Sequence, residues 1–384
     1  MKKKIAITFP QLHEFGGGEI FCEYVCNLLA SSYEIDLYYY QNGLINKNIR
    51  FNKKINLVGV KSRNVFLNFF CKKFIFLSQI YLIYILNSKY NNRTYKFLFS
   101  AAGEFLSKYY KVYQYIHHPF YSLNPRHYLA IGTKKYQIYK FILRFLISLF
   151  VRAYFLINNK FYSKNKSLLN SKWTQKRFSK IYKKKSKLIY PTFNIPDQEK
   201  LNFSKFLSRK NNFIILGRVG PDKKTFEAIK IFVKIKSQNK DLKLNKLLII
   251  GPVKENIKRK VEYYKSKYSN HIEFLGHVTY SKLNNLLKNN KYGLHLCEEE
   301  HFGRSLLEMS KKGMICFTHN SGGSVEIINS NLLKFKKIYE FEINLRKIIL
   351  NNKIQKKILE KNFIMLKRKF TSKKFNQKIT KYLI

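Results

Sequence analysis

Residues 297–326, CEEEHFGRSLLEMSKKGMICFTHNSGGSVE, follow a short apolar run at 292–296 of the kind that forms a buried strand. Three carboxylates close that run. The spacing predicts a helix from near Phe302 to Gly313 and a second strand over 314–318. Strand, loop, helix and strand make one βαβ unit, which points to a parallel sheet of the α/β class. Glu300 lies in the loop, and Glu308 stands eight positions later, about two turns into the expected helix. At about 1.5 Å rise per residue their backbones are ~12 Å apart. Between them the free N–H groups and positive dipole end of a helix favour a phosphate. Gly303 bares the backbone where a ligand approaches. A carboxylate for sugar hydroxyls, an anion site and a carboxylate for a ribose match the parts of a nucleotide sugar in order.

Acidic residues near a helix start are also common simply because the dipole favours them, so the flanking residues carry weight. They are HFG at 301–303, Gly313, and the turn Asn320-Ser321-Gly322-Gly323 with Glu326. The whole segment resembles the donor-binding signature of the retaining GT-B glycosyltransferases of family 4. Within that family, EHFGRSLLE followed by HNSGGSVEII is most similar to the lipid-linked-oligosaccharide α-1,2-mannosyltransferases. The resemblance implies a GT-B fold, with two Rossmann-like domains whose parallel sheets face a central cleft. It places the nucleotide sugar on the C-terminal domain and the acceptor on the N-terminal one.

Length and composition agree with two ordinary domains. The chain has 384 residues, 45% of them hydrophobic, which is ample for burial. The formal net charge of +52 suggests at face value a nucleic acid or an anionic membrane. Lysine greatly exceeds arginine, Asn, Ile, Phe and Tyr are abundant, and the lysines spread along the whole chain. That pattern reads as a coding bias more than a nucleic-acid site, so no nucleic acid is expected and an anionic membrane surface is. The five cysteines show no C-x-x-C and no metal-ligand spacing, which reads as reduced thiols of a cytosolic compartment. The N-terminus has too short an apolar run for a signal peptide and reads as a first strand.

Apolar runs at 5–9, 34–40, 55–60, 95–100 and 112–116 are expected strands, with a helix over 19–30. The first strand leads into Gly16-Gly17-Gly18-Glu19, a tight crossing where backbone can approach a ligand. The resemblance makes this the loop facing acceptor and donor phosphates. The strand at 112–116 ends in His117-His118-Pro119, at the edge where open α/β sheets bind ligands. QYIHHP resembles a family run that makes His117 the residue hydrogen-bonding the transferred sugar or the acceptor. The 169–174 run, LNSKWT, resembles a structural turn in which Ser171 caps a helix, and Tyr190-Pro191 a run that closes the first domain.

Residues 197–212 are polar and read as a linker between an N-terminal domain, 1–196, and a C-terminal domain, 213–365. A final helix at 366–384 returns to the first domain by the resemblance. A strand at 213–216 ends in Gly217-Arg218, and Lys223 follows at the start of a helix. A guanidinium and an ammonium beside a helix N-terminus can neutralise a diphosphate. They coincide with the family's G-R-x4-K motif, which makes Arg218 and Lys223 diphosphate ligands. Strands are also expected at 247–251 and 272–275, the latter leading into Gly276-His277-Val278. The resemblance sets that turn, with Val278, against the base. It likewise makes Phe302 and Gly303 donor-binding residues, with Glu300 on the sugar hydroxyls and Glu308 on the ribose. Arg304, where the family has a small or apolar residue, is an added candidate phosphate ligand, and Lys311-Lys312 replaces a small pair.

The chain has four aspartates and no D-x-D, so neither metal nor cofactor is expected and Arg218, Lys223 and the helix dipole would meet the leaving group. GDP-mannose is the favoured co-substrate, and a glycan or lipid-linked molecule the acceptor. Two further stretches, 65–86 and 136–157, mix aromatic and apolar residues with Lys72, Lys73, Lys140, Arg144 and Arg152. Such helices suit a membrane interface, and equally the core of the first domain. The expectation is a cytoplasmic enzyme peripheral on the inner face of the membrane, acting in polysaccharide biosynthesis. A UDP-sugar enzyme of surface polysaccharide or lipopolysaccharide assembly and a non-enzymatic, charge-driven binder of nucleic acid or acidic polymer are the rival readings.

Overall fold

The computed structural model describes residues 2–13, 16–89, 94–119, 162, 164–197 and 202–383, with positions 142, 145, 146, 149, 150, 153 and 157. The described residues fall into two compact units, the first comprising those up to 119, those from 142 to 194 and 373–383, the second 195–372.

In the first unit seven described strands form one parallel sheet: β1 (Lys4–Phe9), β2 (Glu34–Tyr40), β3 (Ile55–Val60), β4 (Leu98–Ser100), β5 (Val112–Ile116), β6 (Lys166–Leu169) and β7 (Lys187–Leu188). Their order is β3-β2-β1-β4-β5-β6-β7. Alternate residues of β1 serve opposite faces. Ile5, Ile7 and Phe9 pack with Phe21, Cys22, Val25 and Cys26 of α1 (Gly17–Leu29). Ala6 packs on the other face with Leu82, Ile83 and Leu86 of α3 (Ile75–Lys89). The last helix, Ser372–Leu383, buries Phe375, Ile379 and Leu383 in the core on the α1 side, and Tyr24 Oη donates to Asn376 Oδ1 at 2.9 Å.

The second unit has six described strands: β8 (Lys210–Leu216), β9 (Leu247–Ile250), β10 (Ile272–Gly276), β11 (Asn290–His295), β12 (Ile315–His319) and β13 (Lys334–Phe335). They too run parallel, in the order β10-β9-β8-β11-β12-β13. Phe213 of β8 stacks on Tyr292 of β11 with ring centroids 5.1 Å apart, which anchors the centre of the sheet.

Several expectations need correction. Residues 203–207, read as linker, form a short helix because Asn202 Oδ1 accepts from the backbone N–H of Ser204 and Lys205, and β8 starts three residues early at Lys210. The helix expected from Phe302 to Gly313 is shorter, Arg304–Lys311, because Gly303 adopts φ +94 and breaks the helical path. The 65–86 stretch is two helices, α2 (Val65–Lys73) and α3, separated at Phe74, whose extended backbone (φ −125, ψ 104) stops α2. Most of 136–157, including Lys140, Arg144 and Arg152, lies outside the described residues, as do parts of the 10–18 loop and of the 197–212 segment. No helix of the described residues is long and apolar enough to cross a membrane.

Candidate active site

In an open parallel sheet the loops diverge where strand order reverses, leaving a crevice at the carboxyl ends of the strands. In the second unit that point lies between β8 and β11. The loop after β8 carries Arg218 and Lys223, and the loop after β11 carries the three carboxylates. They meet there. Lys223 Nζ lies 2.5 Å from Glu300 Oε2 and 3.9 Å from Cys297 Sγ. Beside it Lys224 pairs with Glu298. The two roles read separately from sequence, a diphosphate cation and a sugar carboxylate, therefore fall on one ion pair.

Burial alone would raise the Glu300 pKa, yet the Lys223 ammonium, with His295 and His301, holds this carboxyl well below the usual range. Lys223 responds in the opposite sense: burial opposes its charge, but Glu300 and Cys297 raise its pKa. Both therefore stay ionised at neutral pH. Burial, reinforced by Glu300, pushes the Cys297 thiol up to about 12. His295 is buried and its Nε2 lies 3.6 Å from Glu300 Oε2. His295, Cys297 and Glu300 bring ligand-type atoms within 4.8 Å of one another, although the Lys223 ammonium already supplies a positive charge to that cluster.

The backbone holds this arrangement under strain. Lys224 (φ 52) and Glu299 (φ 51) both occupy the left-handed region, costly for non-glycine residues and concentrated at functional sites. Glu299 N–H donates to Ser321 Oγ at 2.8 Å, and Ser321 in turn bonds His319 Nδ1 at 2.7 Å. Gly323 N–H donates to the Glu300 carbonyl at 2.6 Å. Gly322 (φ +76) lies so close that a Cβ there would come 2.4 Å from Glu300 O. The Asn320–Gly323 turn is thus a template on which the acidic loop is moulded.

Glu308 is the fifth residue of the Arg304–Lys311 helix, just over one turn inside and not two. Burial raises its pKa against the opposing pull of Arg304 and Lys312. Its charge is felt by Tyr280, the first residue of the helix Tyr280–Asn289. Tyr280 follows the Gly276–Val278 turn, in which Val278 is half-buried. Phe302 is buried and its ring packs 6.0 Å from Phe370, so only its backbone is available to a ligand. Arg304 opens the helix, and Arg218 pairs with Asp222 at 2.8 Å while remaining part-exposed. Lys311 is a tether: its buried ammonium donates to Ile195 O at 3.1 Å and to Asp197 at 3.0 Å.

The first unit has its own cluster. His117 follows β5, and its Nε2 donates to Ala101 O at 3.1 Å, since a carbonyl can only accept. Its ring meets Phe21 of α1 edge-on with centroids 4.9 Å apart. Gly16 precedes α1, Gly17 begins it, and Gly18 sits against Phe9, leaving 3.4 Å for a Cβ. The Glu19 carboxylate turns back over Gly16. The glycine turn and His117 are thus joined through Phe21 at the carboxyl end of one sheet.

Lys224, His295 and His319 were not singled out from sequence, and Glu298 and Ser321, which lie in the segment that was, were given no role of their own. H-x-C-x-x-E at 295–300 was visible, but the pairing of Lys223 and Lys224 with that loop spans 74 residues or more and only the strand order reveals it.

Residues 197–364 match the family described as Glycosyl transferases group 1. A GDP-Man:Man(3)GlcNAc(2)-PP-Dol alpha-1,2-mannosyltransferase of Dictyostelium discoideum is 25% identical over 176 residues, covering 42% of this chain and 35% of that protein. The like-named mouse (Mus musculus) protein is 27% identical over 172 residues, covering 41% and 34% respectively. The chain thus spans about a third of the length of these curated relatives. Among solved structures, HepE of Anabaena in complex with UDP superposes with a TM-score of 0.67 at 14% identity over 99% of both chains. A glycosyltransferase from Rickettsia africae gives 0.64 at 18% identity, over 99% of this chain and 97% of that one. The chain therefore has the GT-B fold, and its residues 197–364 are similar to the glycosyl transferases group 1 family.

Proposed function

We propose that the protein is a retaining glycosyltransferase that moves mannose from GDP-mannose to a glycan or lipid-linked acceptor at the cytoplasmic face of a membrane. The observation that carries this reading is the Lys223–Glu300 ion pair at the strand-order reversal of the matched domain. Mannose is favoured because the curated relatives are named as GDP-mannose enzymes.

Transfer breaks the bond between the anomeric carbon and the donor diphosphate, and the charge then accumulates on the leaving phosphate oxygens. Fixed cations at that position stabilise the transition state more than the ground state. Lys223 supplies one such charge, Arg218 a second, and the N–H groups opening the Arg304–Lys311 helix add a dipole. No metal is required in this account. Glu300, kept ionised by Lys223, accepts hydrogen bonds from the sugar hydroxyls, and Glu308 does so from the ribose. His117, whose Nε2 donates to Ala101 O, is the first unit's candidate for contact with the acceptor. The acceptor oxygen bonds the anomeric carbon on the face the diphosphate leaves, and its proton passes to the departing phosphate oxygen, which keeps the α configuration.

A UDP-sugar is the second reading, since the Gly276–Val278 turn offers a base backbone and an apolar side chain that suit uracil as well as guanine. Chromatography of nucleotide released from GDP-mannose and UDP-glucose separates the two. GDP release that falls about a hundredfold in Glu300→Gln is the expected outcome. Release from UDP-glucose alone would reassign the donor, and release unaffected by Glu300→Gln would remove the site from the chemistry.

A further inference from the structure

A surface helix normally turns its apolar side chains inward. In α2 they point outward. Val65 and Phe66 are each 78% exposed and Phe69 is 57% exposed, while Cys71 is the one residue of this helix that is fully buried. Polar bonds hold the helix in place. Asn64 Oδ1 caps it by accepting from Leu67 N–H, and Tyr40 Oη donates to Asn68 Oδ1 at 2.7 Å. Gln11 Nε2 and Ser78 Oγ both donate to the Cys71 carbonyl, and Asn42 Nδ2 to that of Lys72. The fold therefore fixes the helix by these polar bonds and leaves Val65, Phe66 and Phe69 exposed.

The charges around it are all of one sign. Lys61, Arg63, Lys72 and Lys73 are exposed on or beside α2, and no acidic residue occurs between Asp36 and Glu104. Next to α2 lies a cavity of about 1280 Å³, with Leu67, Ile80 and Tyr84 in its walls and Lys61, Arg63 and Lys108 among its lining. The described side chains at Ile142, Phe145, Leu146, Leu149 and Phe150, in the same unit, follow helical spacing and are exposed as well.

From these observations we infer that the first unit docks on an anionic lipid bilayer through α2. Val65, Phe66 and Phe69 enter the headgroup–acyl boundary, while Lys72 and Lys73 pair with lipid phosphates. A lipid headgroup settles in the cavity beside Lys61, Arg63 and Lys108. Charge decides between possible occupants. A second copy meeting this face across a two-fold axis would set like charges against one another, and a nucleic acid offers no hydrocarbon to the exposed phenyl rings. An anionic bilayer satisfies both features. Docking goes beyond the proposed function: it would bring the enzyme to lipid-linked acceptors, yet the exposed side chains of α2 carry it whatever the donor.

The test is co-sedimentation of the full chain with vesicles of phosphatidylcholine alone or mixed with phosphatidylglycerol, without nucleotide. Calorimetric GDP binding, without vesicles, serves as the control for folding and for the donor site. Wild type should bind the mixed vesicles and largely ignore the neutral ones. Phe66→Ser/Phe69→Ser should weaken vesicle binding about tenfold or more, and Lys72→Glu/Lys73→Glu about tenfold, with GDP binding unchanged in both. Failure of wild type to bind mixed vesicles would overturn the inference, as would undiminished binding by both double variants. A wild-type dimer in light scattering that Phe66→Ser/Phe69→Ser dissociates would assign the face to a second copy and also overturn it.

Discussion

Lys223 and Glu300 bind each other where each would otherwise be a partly buried, unpaired charge. Removing one partner should cost about 2–3 kcal/mol, less than the ~3–5 kcal/mol of a fully buried pair, because the lysine side chain is 31% exposed. Lys223→Met/Glu300→Gln should recover much of that loss in urea denaturation while remaining without transferase activity. Glu300 has a depressed pKa, so its contribution is present above the unfolded carboxylate value of about 4.3 and fades as pH falls through the folded one. Lys223 has a raised pKa, so its share is present below about 10.4 and is lost on rising through the folded value. Glu308 differs in sign. Its raised pKa makes ionisation destabilising as pH rises through the folded value. Glu308→Gln should therefore raise the Tm at neutral pH, with the two proteins converging below about pH 4.3, and should weaken GDP binding about tenfold. At this scale the candidate donor residues were legible because short motifs carry them. Their partners were not, because a lysine among so many lysines has no local signature.

The loops that bear these residues are shaped by backbone. Gly322→Ala places a Cβ 2.4 Å from the Glu300 carbonyl oxygen at a φ of +76. It should cost about 2 kcal/mol or more and weaken GDP binding in parallel, read by thermal denaturation and calorimetry on the same sample. Gly217→Ala, with open space around the added methyl, meets only the cost of its φ of +136 and should fall well short of that effect. The strands at β2 and β3 were read from sequence to the residue, because both are short runs rich in β-branched and aromatic residues bounded by polar turns. Helix starts were less legible. A single glycine at φ +94 moved the start of the Arg304–Lys311 helix two residues, and Phe302, read as a donor contact, went into the core.

On the scale of the molecule, the chain ends by adding its last helix to its first unit, where Phe375 is fully enclosed with Phe21 and Phe193. Phe375→Ala should lower the stability of that unit by about 3–5 kcal/mol while GDP binding by the second unit persists, read as an early thermal transition insensitive to GDP. The parallel sheets were legible from the alternation of strand and helix, and the two units from chain length and the family resemblance. The strand orders were not, and with them went the meeting of Lys223 and Glu300, since periodicity along the chain does not say which strands become neighbours. The central claim is that this meeting point binds the diphosphate of a nucleotide sugar. Calorimetric titration of GDP and UDP into the wild type and Lys223→Ala tests it most directly. The account predicts saturable binding, tighter for GDP, weakened about tenfold or more in the variant. Absence of binding of either nucleotide by folded protein, or equal binding by Lys223→Ala, would contradict it.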